Sequence, residues 1–486
     1  MQTEMKPANR VVNSRLHQVF QLTDLSSLSV SSVGPLFSVA AASAAMVQAA
    51  GPAVPIAIVA IAVPFILCSW IFLSLNQHFP SSGASYHWSR RIMGIDYSHF
   101  QGWIVIMAYF WSIPPILIPA ARFTLGAFGI AHPSALAEIA TSIGWATFSA
   151  LVLLRGARMT ALVTQAFLLV EILAVAVMTV IGYASWHRRT PGTATIALYH
   201  IHWAGVVACT VIAATIVDGW EIDSYASEEA KKPRLTPGWG GIIGAISVVI
   251  YYLLIWPLLL HEVPLAQLAT SADALTLWAK TVVPSFVPWM RVSVIASTAG
   301  GLWLTTFILS RALFAMARDG NVPSLFGKLN RQRVPFWAIV IPIIISIAVV
   351  CMQVIVPSLN ALFELVLSAA GFFLVAEFLL DGVNMLYFLV FHHHDIRHSI
   401  KAHHHVGMLA AAIIVVIFLA SIEIAFLVLG PRDIAPGIDR VIVGLLALGI
   451  LNVLRLKRRK TAPKTHIFAD EPNILGNPLV EIDADC

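Results

Sequence analysis

The sequence predicts an all-α polytopic membrane protein of 12 transmembrane helices, and three observations carry that prediction. Of 486 residues, 58% are hydrophobic and only 11% charged, with a mean hydropathy of +0.82; soluble domains carry about 25% charged residues. Apolar runs of roughly 20 residues recur along nearly the whole chain, each long enough to cross a hydrocarbon core of about 30 Å as a helix. Basic residues alternate sides between these runs. Helices are the expected spanning form, because every backbone N–H and C=O must find a partner without water. The alternating ten-residue segments of a membrane barrel are not seen.

Taken in order, the expected spans are residues 25–50, 53–75, 100–128, 139–154, 161–183, 203–227, 241–260, 289–317, 336–356, 362–391, 407–429 and 441–456. With the N-terminus inside, 23 of the 30 Lys and Arg residues fall on the inner side. Six fall outside (Arg188, Arg189, Lys280, Arg291, Arg432 and Arg440), and Arg122 lies within the third span. Such a split predicts an even number of crossings with both termini cytoplasmic, in the plasma (inner) membrane. The net charge of +5 is then the usual basic bias of inner loops and no sign of nucleic-acid binding. The lipid bilayer is the expected partner.

The predicted organisation is a cytosolic N-terminal tail over residues 1–24, a ten-helix core over 25–391, an inner loop over 392–406, two further helices over 407–456 and a cytosolic tail over 457–486. RLKRRK at the start of that tail suits anionic headgroups. The rest is polar and Pro-bearing, and is expected to be disordered. The first 20 residues are polar and no cleavable signal peptide is expected. Cys68, Cys209 and Cys351 sit in apolar runs, as small apolar residues rather than a disulfide framework. HHHDIRHSIKAHHH (residues 392–405) could bind metal or sense pH. Without an accompanying cysteine or a fixed acidic spacing, a solvated inner loop is expected, with no metal site and no cofactor.

Two spans carry helix breakers at corresponding places. LSVSSVGPLFSV interrupts the first with Gly34 and Pro35, and VDGWE interrupts the sixth with Gly219. These spans lead two sets of five, and an odd-numbered set starts its successor on the opposite side of the membrane. That is the pattern of an inverted repeat, in which matching broken helices point to a binding site. A break frees N–H groups on one half-helix and carbonyls on the other, and these can hold a charged small molecule in place of water. The plainer alternative is a kink, since Gly and Pro are common in membrane helices.

SRALFAMARDGNVPSLFGKLNRQRVPFWAIV (residues 310–340), LNQHFPSSGASYHWSRRIMG (75–94) and DGWEIDSYASEEAKKPR (218–234) together resemble the amino acid–polyamine–organocation permeases. The resemblance implies a five-plus-five inverted-repeat transporter fold with broken helices 1 and 6 and two extra C-terminal helices. It also implies uptake or exchange of amino acids or related amines by alternating access. By the same resemblance, substrate would be held at Ser31, Ser32, Val33 and Gly34 and at Val217, Asp218, Gly219 and Trp220, with Trp220 as an aromatic gate; a packing role for Trp220 is the alternative. Pro35 departs from the Gly-rich pattern of many members and removes one N–H. Asp218 and Glu221 are three residues apart and share a face if the helix resumes at once. A substrate with more amine than carboxylate suits such a site, so an ordinary amino acid and a cationic amine or polyamine both stay open.

Glu171, within QAFLLVEILAVAV, is the candidate for proton coupling, because burial among apolar neighbours disfavours the charged form and intramembrane acids are functional by default. A structural acid is the alternative. Sodium is the competing coupling ion, with Ser297, Thr298, Thr305 and Thr306 as hydroxyl ligands, although hydroxyls also serve as interhelical glue. Arg318-Asp319-Gly320 is expected to have a structural or gating role at the inner surface, and Glu228 and Glu229 are expected to meet Lys231 and Lys232. Arg122 pairs with a nearby acid or snorkels. Glu364, Glu377 and Asp381 place the tenth span against the interior or a wet path. An enzyme is not expected: no nucleotide-binding Gly motif, no H-E-x-x-H and no sizeable soluble region are present. A transporter-derived nutrient sensor is the lesser alternative.

Overall fold

A computed structural model of the chain describes residues 15–130, 132–188, 201–355, 360–391, 402–433, 436–458, 465–468 and 479–482. The first apolar run starts as α1 (Leu22–Val33), where the Asp24 carboxylate accepts a 2.8 Å hydrogen bond from the Gln21 N–H. It stops at Gly34, whose φ of +56° lies in the left-handed region that glycine adopts without strain. Pro35 then opens α2 (Pro35–Ala50) at the helical position where a missing N–H costs nothing.

The chain continues through α3 (Val54–His78), α4 (Ala84–Ile92), α5 (Ile95–Ala127), α6 (Ala135–Leu154) and α7 (Ala157–Ser185). The sixth run divides into α8 (Trp203–Ala214), a non-helical stretch, and α9 (Ile222–Tyr225). After these come α10 (Thr236–Glu262), α11 (Leu265–Leu268), α12 (Ala274–Val282), α13 (Val287–Arg318), α14 (Phe336–Ile355) and α15 (Asn360–Phe391). Helices α16 (Ala402–Asp433) and α17 (Ile438–Lys457) complete the bundle. The expected spans fall on these helices with ends shifted by a few residues. Sequence reading missed α4, α11 and α12; α12 is signalled only by Asp273, which caps it by accepting from the Thr276 N–H at 2.9 Å.

Among the described residues, nine stretches are long and apolar enough to cross a membrane, the first of which, Leu22–His78, spans two of the expected runs. By itself α8 is short, and α17 carries Asp439, Arg440, Arg455 and Lys457. The chain is an integral membrane protein built of helices. In the most apolar window of the stretch containing α13, 89% of residues are buried, against 33% in α6, α7 and α16. That contrast makes α13 the central element and turns the other three outward. α13 packs on α5, α7, α1 and α2.

One end of the bundle gathers segments far apart in sequence. The N-terminal segment lies beside the end of the sixth run: the Val19 and Phe20 N–H groups donate to the Glu229 carbonyl at 2.8 and 2.9 Å, and the Lys231 N–H to the Phe20 carbonyl at 3.0 Å. The expected unstructured tail also contributes here. It contains β1 (Thr465–Phe468) and β2 (Leu479–Ile482), paired in parallel, with β1 against α13. The backbone of residues 392–401, most of the histidine-rich loop, lies outside the described residues.

Candidate functional site

The breaks in the first and sixth runs meet. Gly219 has φ +112°, and a Cβ there would lie 2.7 Å from the Val33 nitrogen and 2.8 Å from the Ser32 carbonyl carbon. Only a residue without a side chain fits this backbone shape and this approach. A cavity of about 460 Å³ opens beside the junction, walled by Ser32, Val33, Asp218, Gly219 and Glu221 from the breaks. Tyr109 of α5, Thr305 of α13 and Leu374 of α15 complete its polar and apolar sides. No Lys or Arg lines it. A second cavity of about 370 Å³, reaching His202 and Arg432, shares Ala45, Val211, Ile212 and Phe426 with it. A larger cavity of about 890 Å³ among Arg122, Glu138 and Lys280 touches neither break.

The groups freed by the breaks are largely taken by side chains. The Ser38 hydroxyl donates to the Val33 carbonyl at 3.0 Å, the Ser29 hydroxyl to the Trp220 carbonyl at 2.9 Å, and the Tyr252 hydroxyl to the Ile216 carbonyl. At the start of α2, Pro35 has no N–H, and the Phe37 N–H donates to the Ser297 hydroxyl at 3.1 Å. In the sixth run the Gly219 N–H donates to Glu221 Oε2 at 2.7 Å, while Tyr109 donates to Glu221 Oε1 at 3.0 Å. The Phe37 and Gly219 N–H groups are thus engaged by side-chain oxygens, and Asp218 and Glu221 present acceptors on the cavity wall.

Of the residues expected to hold substrate, Ser32, Val33, Asp218, Gly219 and Glu221 line the cavity. Ser31, Gly34, Val217 and Trp220 do not line it. Gly34 shapes the break, and Ser31 is fully buried. The Trp220 ring stacks on Phe378 with centroids 5.4 Å apart and meets Phe72 edge-on at 5.0 Å. In this structure the ring packs against these aromatics and does not line the cavity. Glu171 is fully buried on α7 and does not line the cavity; neither oxygen makes a hydrogen bond, and the Ser297 hydroxyl faces it. Of the hydroxyls considered for sodium, Thr298 and Thr306 donate to their own helix, to the Val294 and Leu302 carbonyls. Among the described residues no group of three His, Cys, Asp or Glu is placed to hold a metal ion.

Sequence reasoning missed Tyr109. It stands in an apolar run with no motif around it, and only the approach of α5 to the sixth-run break gives it a role. Glu377 and Asp381 are fully buried in α15. Glu377 Oε1 accepts from Ser85 at 2.8 Å and from Tyr225 at 2.5 Å, and Asp381 Oδ1 from Gln101 at 2.8 Å and Asn384 at 3.1 Å. They face the interior, as expected, without lining the cavity. Arg122 pairs with Glu138 at 2.5 Å.

The pairing expected for Glu228 and Glu229 is corrected. Lys231 and Lys232 are exposed, while both acids turn inward to α13. Glu228 takes Arg318 Nη1 at 2.9 Å and Nη2 at 2.5 Å, and Glu229 takes Arg311 Nε and Nη2 at 2.9 Å each. Ser82 adds its N–H and hydroxyl to Glu228, both at 2.9 Å. These buried pairs close the end of the bundle where the N-terminal segment and β1 lie. Burial pushes the Glu228 carboxyl up, but the Arg318 guanidinium and the Arg318 and Ser82 hydrogen bonds outweigh it and hold it at about 2. A depressed folded value means that the stabilisation is complete above the ordinary carboxylate range and is lost only as pH falls toward about 2. The Glu228–Arg318 pairing is therefore expected to be constant between about pH 5 and about pH 8. Hydrogen exchange of residues 222–230 across that range checks this; a change within it would contradict the assignment.

Broken helices joined over a cavity, with one end of the bundle shut by ion pairs, define a membrane transport protein. The chain belongs to the amino acid permease family, whose model matches residues 20–448. It is 24% identical to the L-asparagine permease of Salmonella typhimurium over 68% of each chain. It is likewise 24% identical to the methylthioribose transporter of Bacillus subtilis, over 59% of this chain and 64% of that one. The branched-chain amino acid permease of Lactococcus lactis is also 24% identical, over 61% of this chain and 68% of its own. These are permeases and transporters, not enzymes.

Proposed function

We propose that the chain is a secondary active transporter that moves amino acids or related amines by alternating access through a twelve-crossing inverted-repeat fold. Its place would be the plasma membrane, with both termini cytoplasmic, in keeping with the basic bias of the inner loops. The cavity reaches toward the His202 end, and the Arg311 and Arg318 pairs close the other end, as in an outward-facing state. Substrate sits between Ser32 and Val33 on one side and Asp218, Gly219 and Glu221 on the other.

Within this class the cavity favours an amine over a zwitterion. The observation that carries the reading is two carboxylates and no basic side chain on the cavity wall, with the α2 donors reduced by Pro35 and Ser297. A desolvated cation there finds charge-assisted acceptors, whereas a substrate carboxylate meets like charge. The relatives' names range from L-asparagine to methylthioribose, so the family name alone does not select the substrate. Thermal-shift binding and radiolabelled flux with a panel of polyamines, cationic amino acids and neutral amino acids test the reading. Stabilisation by amines above all supports it; binding confined to neutral amino acids would sink it.

Glu171 is proposed as the coupling group. A fully buried carboxyl without a hydrogen bond is best placed to bind and release a proton as the bundle rearranges. Glu171→Gln is expected to leave substrate binding unchanged and to abolish the dependence of flux on an imposed proton gradient. Gradient-driven accumulation in proteoliposomes as in the unaltered protein would remove it from this role, and loss of flux on replacing sodium by choline would point to sodium instead.

A further inference from the structure

The tail strand does not lie free. Thr465 and Ile467 of β1 are 1% and 5% exposed, while the intervening His466 is half-buried, the alternation of a strand laid on a surface. The surface is built by α4 and the end of α13. Arg90, fully buried, donates from Nε to the Thr465 hydroxyl at 2.8 Å and lies 3.3 Å from Asp319 Oδ2. Asp319 Oδ1 accepts from the His466 N–H at 3.1 Å, with His466 Nδ1 at 3.2 Å. Tyr86 donates to Asp319 Oδ2 at 3.2 Å.

Asp319 directly follows Arg318, which holds Glu228. For this end to open, residues 228–229 and the end of α13 must separate, and α13 cannot move there without disturbing the bonds from Asp319 to the tail. We propose that the Arg90–Tyr86–Asp319 surface is a docking site for the chain's own segment Thr465–Phe468, and that its occupancy holds this end of the permease shut. A segment that binds one of two states more tightly shifts the population toward that state. Release of the tail is thus a means of setting transport rate without touching the substrate cavity.

Two measurements on the full-length protein in lipid test the proposal, and only the second rests on the transport reading. Hydrogen exchange is expected to show protection at residues 465–468, lost in Ile467→Asp; exchange as fast as in a free peptide would overturn the docking. Truncation after Arg458 is expected to raise the initial rate of substrate exchange by about fivefold or more, the size of change that losing a few hydrogen bonds produces. A synthetic peptide of residues 459–486 added in trans is expected to reverse the gain, and Ile467→Asp in the full chain to reproduce it. Protection of 465–468 together with unchanged rates in the truncated and Ile467→Asp proteins would overturn the latch.

Discussion

Glu221→Gln is expected to lower transport of a cationic amine by roughly 10- to 100-fold, the equivalent of one charge-assisted hydrogen bond of about 1.5–3 kcal/mol. Glu221, like Asp218, belongs both to the cavity wall and to the helix break. Its Oε2 takes the Gly219 N–H and its Oε1 the Tyr109 hydroxyl. The amide keeps one of these acceptors, sets an N–H₂ against the other donor, and removes a carboxylate from the cavity wall. The fold is expected to survive, because the break is also shaped by the glycine itself and by the Tyr252 and Ser29 bonds to its carbonyls. Flux of an amine and of a neutral amino acid, measured side by side, separates the two roles. A selective loss of amine transport places the charge on the substrate. An equal loss for both would mean that Glu221 only holds the break.

Arg318→Ala is expected to have the largest effect on the closed state, destabilising it by about 3–5 kcal/mol, the usual result of stranding one member of a buried pair. Glu228 would keep Ser82 and Ser81 as donors but lose the guanidinium that neutralises it. The Arg318→Ala/Glu228→Ala double variant removes the stranded charge and is expected to recover part of the loss. Melting temperature, with hydrogen exchange at residues 222–230, reads both variants. A double variant no more stable than the single would show that the two side chains do not act as a pair.

Much of the helical framework was legible because its causes are local. An apolar run between polar loops has no better fate than a helix across lipid, and Gly34-Pro35 and Asp218-Gly219 are local signals of a break. The meeting of the two breaks was approachable from sequence for the same reason. What could not be read was the direction in which residues at a break face. Trp220 turns away from the cavity because Phe72 of α3 and Phe378 of α15 form an aromatic slot behind it. Tyr109 turns into the cavity because α5 passes that point. Neither neighbour is near in sequence, and hydrophobicity alone ranks a tryptophan against a tyrosine in neither place.

The charges at the closed end follow the same division. Composition and loop bias placed Glu228, Glu229, Arg311 and Arg318 together at one surface, but adjacency in sequence favoured Lys231 and Lys232 as partners. The short turn after α9 aims the acids at α13 and leaves the lysines exposed. There the planar guanidinium matches a carboxylate with two parallel bonds and stays charged when buried, where an ammonium would not. The tail likewise has the composition of a disordered segment, and its docking appears only when Arg90 and Asp319 supply partners from elsewhere in the chain. By itself, then, the sequence determined that this protein is a helical membrane permease with two interrupted helices, since solvation of backbone and side chain in lipid is settled residue by residue. Which acid meets which base, which aromatic faces the cavity and where the tail rests were decided by tertiary structure, because each depends on groups brought within about 3 Å across tens to hundreds of residues of chain.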